Sequence, residues 1–312
     1  MYGAAWMQMV LGEVSRGYGR YHEAQKQLEE VITSFHKLNN EEGYAHALFD
    51  RSTVYEALGL YSEALVDSEE ALQLFTKLGL RFWQAWVLSE QSVVFLDQGK
   101  YEQAERTCSE SIAIFREQKA LRGEGWALRA LGDIARKRGN TVDAGDYYHQ
   151  SLAIFKEVGD QVDEARVLNS LAANFLVEGQ ILDAKESFEH AQALAHEQKA
   201  LQLEGRALRG LGDVARVQHE FDEAMRFYSE AANIAVELGT PAERGAILRH
   251  QGELYLNQDK YREALDVWVQ AYAEDRRIGH PDREALKEKI EALVAKHDLQ
   301  EVYAELCVRY GI

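Results

Sequence analysis

Apolar and polar positions along this chain follow two nested periods, one of a helix turn and one of forty residues. Leu128, Leu131, Gly132 and Ala135 fall at i, i+3, i+4 and i+7, the stripe of an amphipathic helix. Arg138-Gly139-Asn140 interrupts it with residues that end helices. A second stripe, Ala144, Tyr148, Ser151, Leu152 and Phe155, runs to Gly159. The pattern predicts a helical hairpin with two helices of about fifteen residues each. Its markers then repeat. Ala24, Ala64, Ala104, Ala144, Ala184, Ala224 and Ala264 stand forty residues apart. Tyr21, Tyr61, Tyr101, Phe221 and Tyr261 precede them by three, with Thr141 and Ile181 in the other copies. Gly19, Gly59, Gly99, Gly139 and Gly179 mark the turn, replaced by His219 and Asp259 in the last two copies.

A period of this length is the signature of a solenoid, in which each unit buries its apolar face only against its neighbours. The expected fold is all-α, with seven hairpins over 1–40, 41–80, 81–120, 121–160, 161–200, 201–240 and 241–280. Gly12, Gly132, Gly212 and Gly252 share one place in the first helix, which Ser52, Ser92 and Ala172 fill elsewhere. A small residue there lets the second helix come close. Tyr148, Phe188, Tyr228 and Trp268 are expected to fill the space from that second helix, and Cys108 to be a small core residue at the same place. Residues 281–312 leave the pattern and are expected to cap the last repeat. Asp282 would open one helix reaching about His297, and Leu299–Tyr310 would form another. No such cap precedes the first repeat, so the chain reads as a segment of a longer protein.

The order Leu128, Leu131, Gly132, Gly139, Ala144, Tyr148, Ser151 resembles the tetratricopeptide repeat, as does Leu208, Leu211, Gly212, Phe221, Ala224, Tyr228, Ala231. The period is forty instead of thirty-four, and the proline usual after the second helix is missing. Both features resemble the longer-helix variety of kinesin light chains, polarity adaptors and bacterial STAND regulators. The run Asp163-Glu164-Ala165-Arg166-Val167-Leu168 looks most like the last. The resemblance implies a right-handed superhelix whose first helices line a concave groove.

On a wheel of about 100° per residue, Trp126, Arg129, Asp133 and Arg136 lie away from the core stripe. The column of Trp126 reads Trp6, His46, Trp86, Trp126, Arg166, Arg206 and Ala246. That of Arg129 reads Met9, Phe49, Ser89, Arg129, Asn169, Arg209 and Arg249, and Arg216 shares the place of Arg136. Trp86, Trp126, Arg129, Asp133, Arg136, Arg166, Asn169, Arg206, Arg209, Asp213, Arg216 and Arg249 are therefore the candidate ligand-binding residues. Arginine suits bidentate capture of carboxylates, and the aromatic N-terminal half suits an apolar anchor. The competing expectation is structural. Arg129–Asp133, Arg209–Asp213 and Arg249–Glu253 have the i,i+4 spacing of intrahelical pairs, and neighbouring repeats could use up the rest. Trp86 and Trp126 could equally be partly buried between adjacent first helices.

Charge narrows the partner. The net charge of −17 opposes generic binding to a phosphate backbone. The carboxylate clamp of chaperone-binding relatives is absent, its asparagine place being held by Glu13, Thr53, Val93, Asp133, Ala173, Asp213 and Glu253. No catalytic residues, metal ligands or cofactors are expected. His190 and His196 are badly spaced for one metal, and Gly17-Tyr18-Gly19 lies in a hairpin with no preceding strand. Two cysteines, no long apolar run and no secretory signal suit the cytoplasm. Residues 117–136 closely match 197–216, as if a two-repeat block had duplicated, with Trp126 against Arg206 in the groove. The expected function is a non-catalytic interaction scaffold for a peptide or partner helix, acidic with an apolar anchor. The alternative is the sensor region of a larger STAND-type ATPase or transcription regulator, whose other domains the groove would hold.

Overall fold

A computed structural model describes residues 2–17, 20–278, 280 and 283–312. Tyr18, Gly19 and Asp282, read above as turn and cap residues, lie outside the described residues. The helices are α1 (Tyr2–Gly17), α2 (Tyr21–Lys37), α3 (Glu41–Ala57), α4 (Tyr61–Lys77), α5 (Arg81–Asp97), α6 (Tyr101–Glu117), α7 (Leu121–Lys137) and α8 (Thr141–Val158). They continue as α9 (Gln161–Val177), α10 (Ile181–Glu197), α11 (Leu201–Val217), α12 (Phe221–Leu238), α13 (Pro241–Leu256), α14 (Tyr261–Ile278), α15 (Arg283–His297) and α16 (Gln300–Tyr310). No strand occurs among the described residues. The chain forms two compact units, Met1–Glu178 with α1–α9 and Gly179–Ile312 with α10–α16.

Helices end where one residue turns left-handed. Gly59 has φ 75°, and the Leu60 N–H then donates to the Tyr55 carbonyl at 2.8 Å. That bond closes the helix C-terminus and starts the return. Lys119, Lys199, His219 and Asp259 do the same with φ of 53°, 55°, 62° and 57°. Side-chain caps are rare by comparison, Asn40 accepting from Gly43 N–H and Asp160 from Asp163 N–H.

Consecutive helices pack as hairpins, α1/α2 through α7/α8 in the first unit and α11/α12 and α13/α14 in the second. Within the first unit α1, α3, α5, α7 and α9 also approach one another in turn. Among the described residues α2, α4, α6 and α8 do not, so the odd helices crowd the concave side of this unit. In the second unit α11 and α13 make the same approach. α15 and α16 lay Leu286, Ile290, Leu293 and Leu306 on Leu265, Trp268 and Val269 of α14. Burying each such side chain is worth about 1.5–3 kcal/mol. No helix of the described residues is long and apolar enough to cross a membrane.

Hairpin packing matches volumes across one register. A Cβ on Gly132 would stand 2.5 Å from the Tyr148 ring, and one on Gly252 2.1 Å from the Trp268 indole nitrogen. Ser92, where the first helix is bulkier, faces Cys108, which is fully buried. Gly252→Ala is therefore expected to destabilise the second unit by about 1–3 kcal/mol through overpacking, although alanine gains about 1 kcal/mol in helix propensity. It would also displace the Trp268 Nε1–H bond to the Arg249 carbonyl, now 3.1 Å. Urea unfolding checks this, and an unchanged midpoint would show that the indole can move aside.

Candidate functional site

The concave face of the first unit is built from aromatic rings. Trp6 lies 6.0 Å from His46 by ring centroids, and His46 meets Trp83 edge-on at 4.3 Å. Phe82 touches Trp83, Trp86 and Phe115, and Trp86 meets Trp126 at 6.2 Å. Equivalent positions of successive first helices thus stack across the repeats. Trp86 and Trp126 are half-buried between neighbouring odd helices. The Trp126 ring is flanked by the guanidiniums of Arg129 at 5.3 Å and Arg166 at 4.7 Å, and its Nε1–H donates to Asp163 at 2.7 Å. Indole, cation and carboxylate together form one neutralised station.

The arginine columns are internally paired. Arg129 donates to Asp133 at 2.6 Å, and the Tyr148 hydroxyl donates to the other oxygen of Asp133 at 2.8 Å. Arg136 stands 3.8 Å from Asp133, and Arg166 stands 3.3 Å from Asp163. Burial, followed by the Asp133 charge, pushes the Tyr148 hydroxyl above its usual range. Asn169 is half-buried in the same face of α9.

The second unit repeats this station with one change. Tyr228 donates to Asp213 at 2.7 Å and Arg216 stands 3.8 Å from it, as in the first unit. Here His250 of α13 enters from the next repeat, its Nδ1 2.7 Å from Asp213 and its Nε2 3.2 Å from Arg209 Nη1. The imidazole takes the place of the expected Arg209–Asp213 pair. Arg209 turns instead toward Glu243, at 3.9 Å, and Glu243 also accepts from Arg206 at 2.6 Å. Arg249 does not pair with Glu253. It binds Asp275 of α14, while Glu253 accepts from Lys289 of α15 at 2.8 Å. Burial alone would raise the Asp213 and Glu243 carboxyls. His250 and Arg209 around Asp213, and Arg206 and Arg209 around Glu243, outweigh it and hold both below the usual range.

One column escaped the sequence reading. Position ten of the first helix carries Asp50, Glu90 and His250 in three repeats, and Val10, Ala130, Ser170 and Gly210 in the others. In other repeats the same place packs against the preceding hairpin: Ala130 is 4% exposed, and a Cβ on Gly210 would stand 2.2 Å from the Phe188 ring. The two carboxylates sit on the first unit's odd helices, and burial raises both. Among the described residues no group of three or more His, Cys, Asp or Glu side chains could hold a metal ion.

Hairpins with a small residue opposite a large aromatic, stacked so that first helices line one face, define a helical-repeat interaction protein. A model of the tetratricopeptide repeat matches residues 83–157 and 123–197. Residues 83–197 are thereby matched as tetratricopeptide repeats, and the forty-residue period carries the same pattern along the chain. It is similar in structure to a Rap protein complexed with competence and sporulation factor, at 10% identity over 97% of this chain and 99% of that one, TM-score 0.64. The apo form of RapI is similar at 12% identity over 88% and 99%, TM-score 0.66. A STAND protein with a tetratricopeptide repeat sensor from Pyrococcus horikoshii is similar at 14% identity, TM-score 0.62, over 97% of this chain and 50% of that one. No curated protein matches the chain in sequence.

Proposed function

We propose that the protein is a non-catalytic, cytoplasmic scaffold that binds an extended peptide on its concave face. The observation that carries this reading is the aromatic strip of the first unit, where half-buried Phe49, Trp83 and Trp86 present ring edges on the odd helices. Aromatic anchors of this kind dominate peptide and protein recognition. The Rap protein of similar fold, complexed with competence and sporulation factor, supports a ligand-binding role for such a stack of repeats. An acidic stretch on the ligand would have to compete with Asp133, Asp213, Glu243 and Asp275 for guanidiniums they already hold. The apolar anchor therefore contributes more to the reading than the acidic character does. Unpaired Cys108 and Cys307 fit a reducing compartment.

A second reading rests on the STAND protein, of which this chain matches half. There the repeats would be the sensor of a larger switch, and a P-loop encoded in the same gene would support it.

Selection of random peptides displayed on phage against the folded chain tests the first reading. Enriched peptides are expected to carry an aromatic or aliphatic anchor. Their affinity should fall by about tenfold or more with Trp86→Ala, once circular dichroism shows that variant folded. Binders indifferent to Trp86→Ala and to Phe49→Ala would put the ligand elsewhere. Failure to enrich any peptide would remove the reading.

A further inference from the structure

The chain contains its own template for what the second and third repeats lack. At Trp126 an indole is flanked by two guanidiniums that are themselves held by Asp133 and Asp163. One repeat earlier the indoles and carboxylates are present, but the cation is not supplied from the same positions. Around His46 and Trp86 the place of Arg129 is occupied by Phe49 and Ser89, and that of Arg166 by Trp86 and Trp126. On α3, His46, Phe49 and Asp50 share a face at i, i+3 and i+4, and on α5 Trp83, Trp86 and Glu90 do so at i, i+3 and i+7. Phe49 and Trp83 link the two helices at 6.5 Å. Each carboxylate thus stands at the end of an aromatic run, on adjacent concave helices.

Among the described residues neither Asp50 nor Glu90 accepts a side-chain hydrogen bond or stands in an ion pair. Asp50 Oδ2 is buried and has no donor within reach. Asp50 and Glu90 hold the same place in α3 and α5, which approach one another directly, and Arg16 of α1 is an opposite charge that acts on both. Glu13 and Asp97 add negative charge there, and Arg129, which also acts on Glu90, is already bound to Asp133. The balance is negative. Two desolvated carboxylates without donors favour an incoming cation, and the neighbouring indoles favour it further.

Resting on the peptide-binding reading above, we propose that the concave face of the first unit receives a basic side chain of the bound peptide, an arginine or a lysine, between Asp50 and Glu90. The ring edges of Phe49, Trp83 and Trp86 take the apolar residue beside it. The ligand completes in trans what Arg129 and Arg166 complete in cis around Trp126.

The test uses the full chain and the displayed random-peptide library. Enriched peptides are expected to share a lysine or arginine next to the apolar anchor. Their dissociation constants should rise by about tenfold or more with Asp50→Asn/Glu90→Gln. That variant removes charges that have no partner, so it should unfold no earlier than the parent, and weaker binding will not report misfolding. Replacing the basic residue of the peptide by norleucine should cost a similar factor against the parent and almost nothing against the variant. Peptides that need Trp86 but carry no basic residue, or bind the variant equally, would overturn the cation site and leave the groove standing. Acidic peptides lost only on Arg129→Glu would also overturn it, placing the ligand on the arginines. No enrichment at all would overturn both proposals together.

Discussion

Asp275→Ala is expected to destabilise the second unit by about 3–5 kcal/mol, the cost of breaking a buried ion pair from one side. Asp275 is fully buried on α14, and its partner Arg249 on α13 has a side chain only 22% exposed. The carboxylate lies so close to α13 that a Cβ on Gly245 would stand 2.8 Å from Asp275 Oδ1. Removing it leaves a guanidinium half-buried without its ion-pair partner, although its charge also reaches Glu243. Urea unfolding followed by tryptophan fluorescence checks the size, since Trp268 lies in the same hairpin. Asp275→Asn keeps the shape and should cost less. Arg249→Met/Asp275→Leu should recover most of the loss, because two apolar residues leave no charge to desolvate. A loss below about 1 kcal/mol for Asp275→Ala would mean that water reaches Arg249.

Asp50→Asn is expected to do the opposite at neutral pH. Burial, with Glu13 adding to it and Arg16 opposing, raises the Asp50 carboxyl from 3.8 to about 7. The folded state therefore holds a proton on Asp50 between about pH 4 and 7 that the unfolded chain has released. Stability from this group is fully present below about pH 4 and is lost as pH rises through 7. The loss is at most about 4 kcal/mol, and less because the residue keeps some contact with water. Asparagine does not titrate. The variant should match the parent near pH 4 and exceed it progressively up to pH 8, as read from paired urea midpoints. Curves that stay parallel over that range would mean that Asp50 is solvated.

The hairpins were legible because each structural rule is written several times. A single glycine at position twelve means little, but four glycines, each opposite a large residue, specify close packing. The same repetition exposed the aromatic column and the arginines. Their partners were not legible, and the reason is geometric. An i,i+4 carboxylate is a candidate for every arginine, yet Arg249 chooses Asp275, twenty-six residues away, because α14 brings that carboxylate to it. Arg209 loses Asp213 to His250, thirty-seven residues beyond Asp213, where the first unit has Ser170 at the corresponding place. Asp50 and Glu90 were passed over for a different reason. Their column lies at the junction of successive hairpins, and a wheel drawn for one helix does not show which neighbours exclude water there. The end of the first compact unit at Glu178 also has no mark in the sequence, since Gly179 is the same turn residue as Gly59, Gly99 and Gly139.

Side-chain hydrogen bonds among the described residues span short stretches of chain, up to the 44 residues between Asp266 and Tyr310. Each hairpin therefore finds nearly all its partners once the next forty residues or so exist. On a ribosome, where synthesis runs at about 5–20 residues per second, that is a wait of a few seconds. An early hairpin can bury its aromatic rings while the later ones are still being made, without holding an exposed face open for a distant segment. The register that aligns indoles along the groove is thus laid down in order of translation, each repeat acting as the mould for its successor.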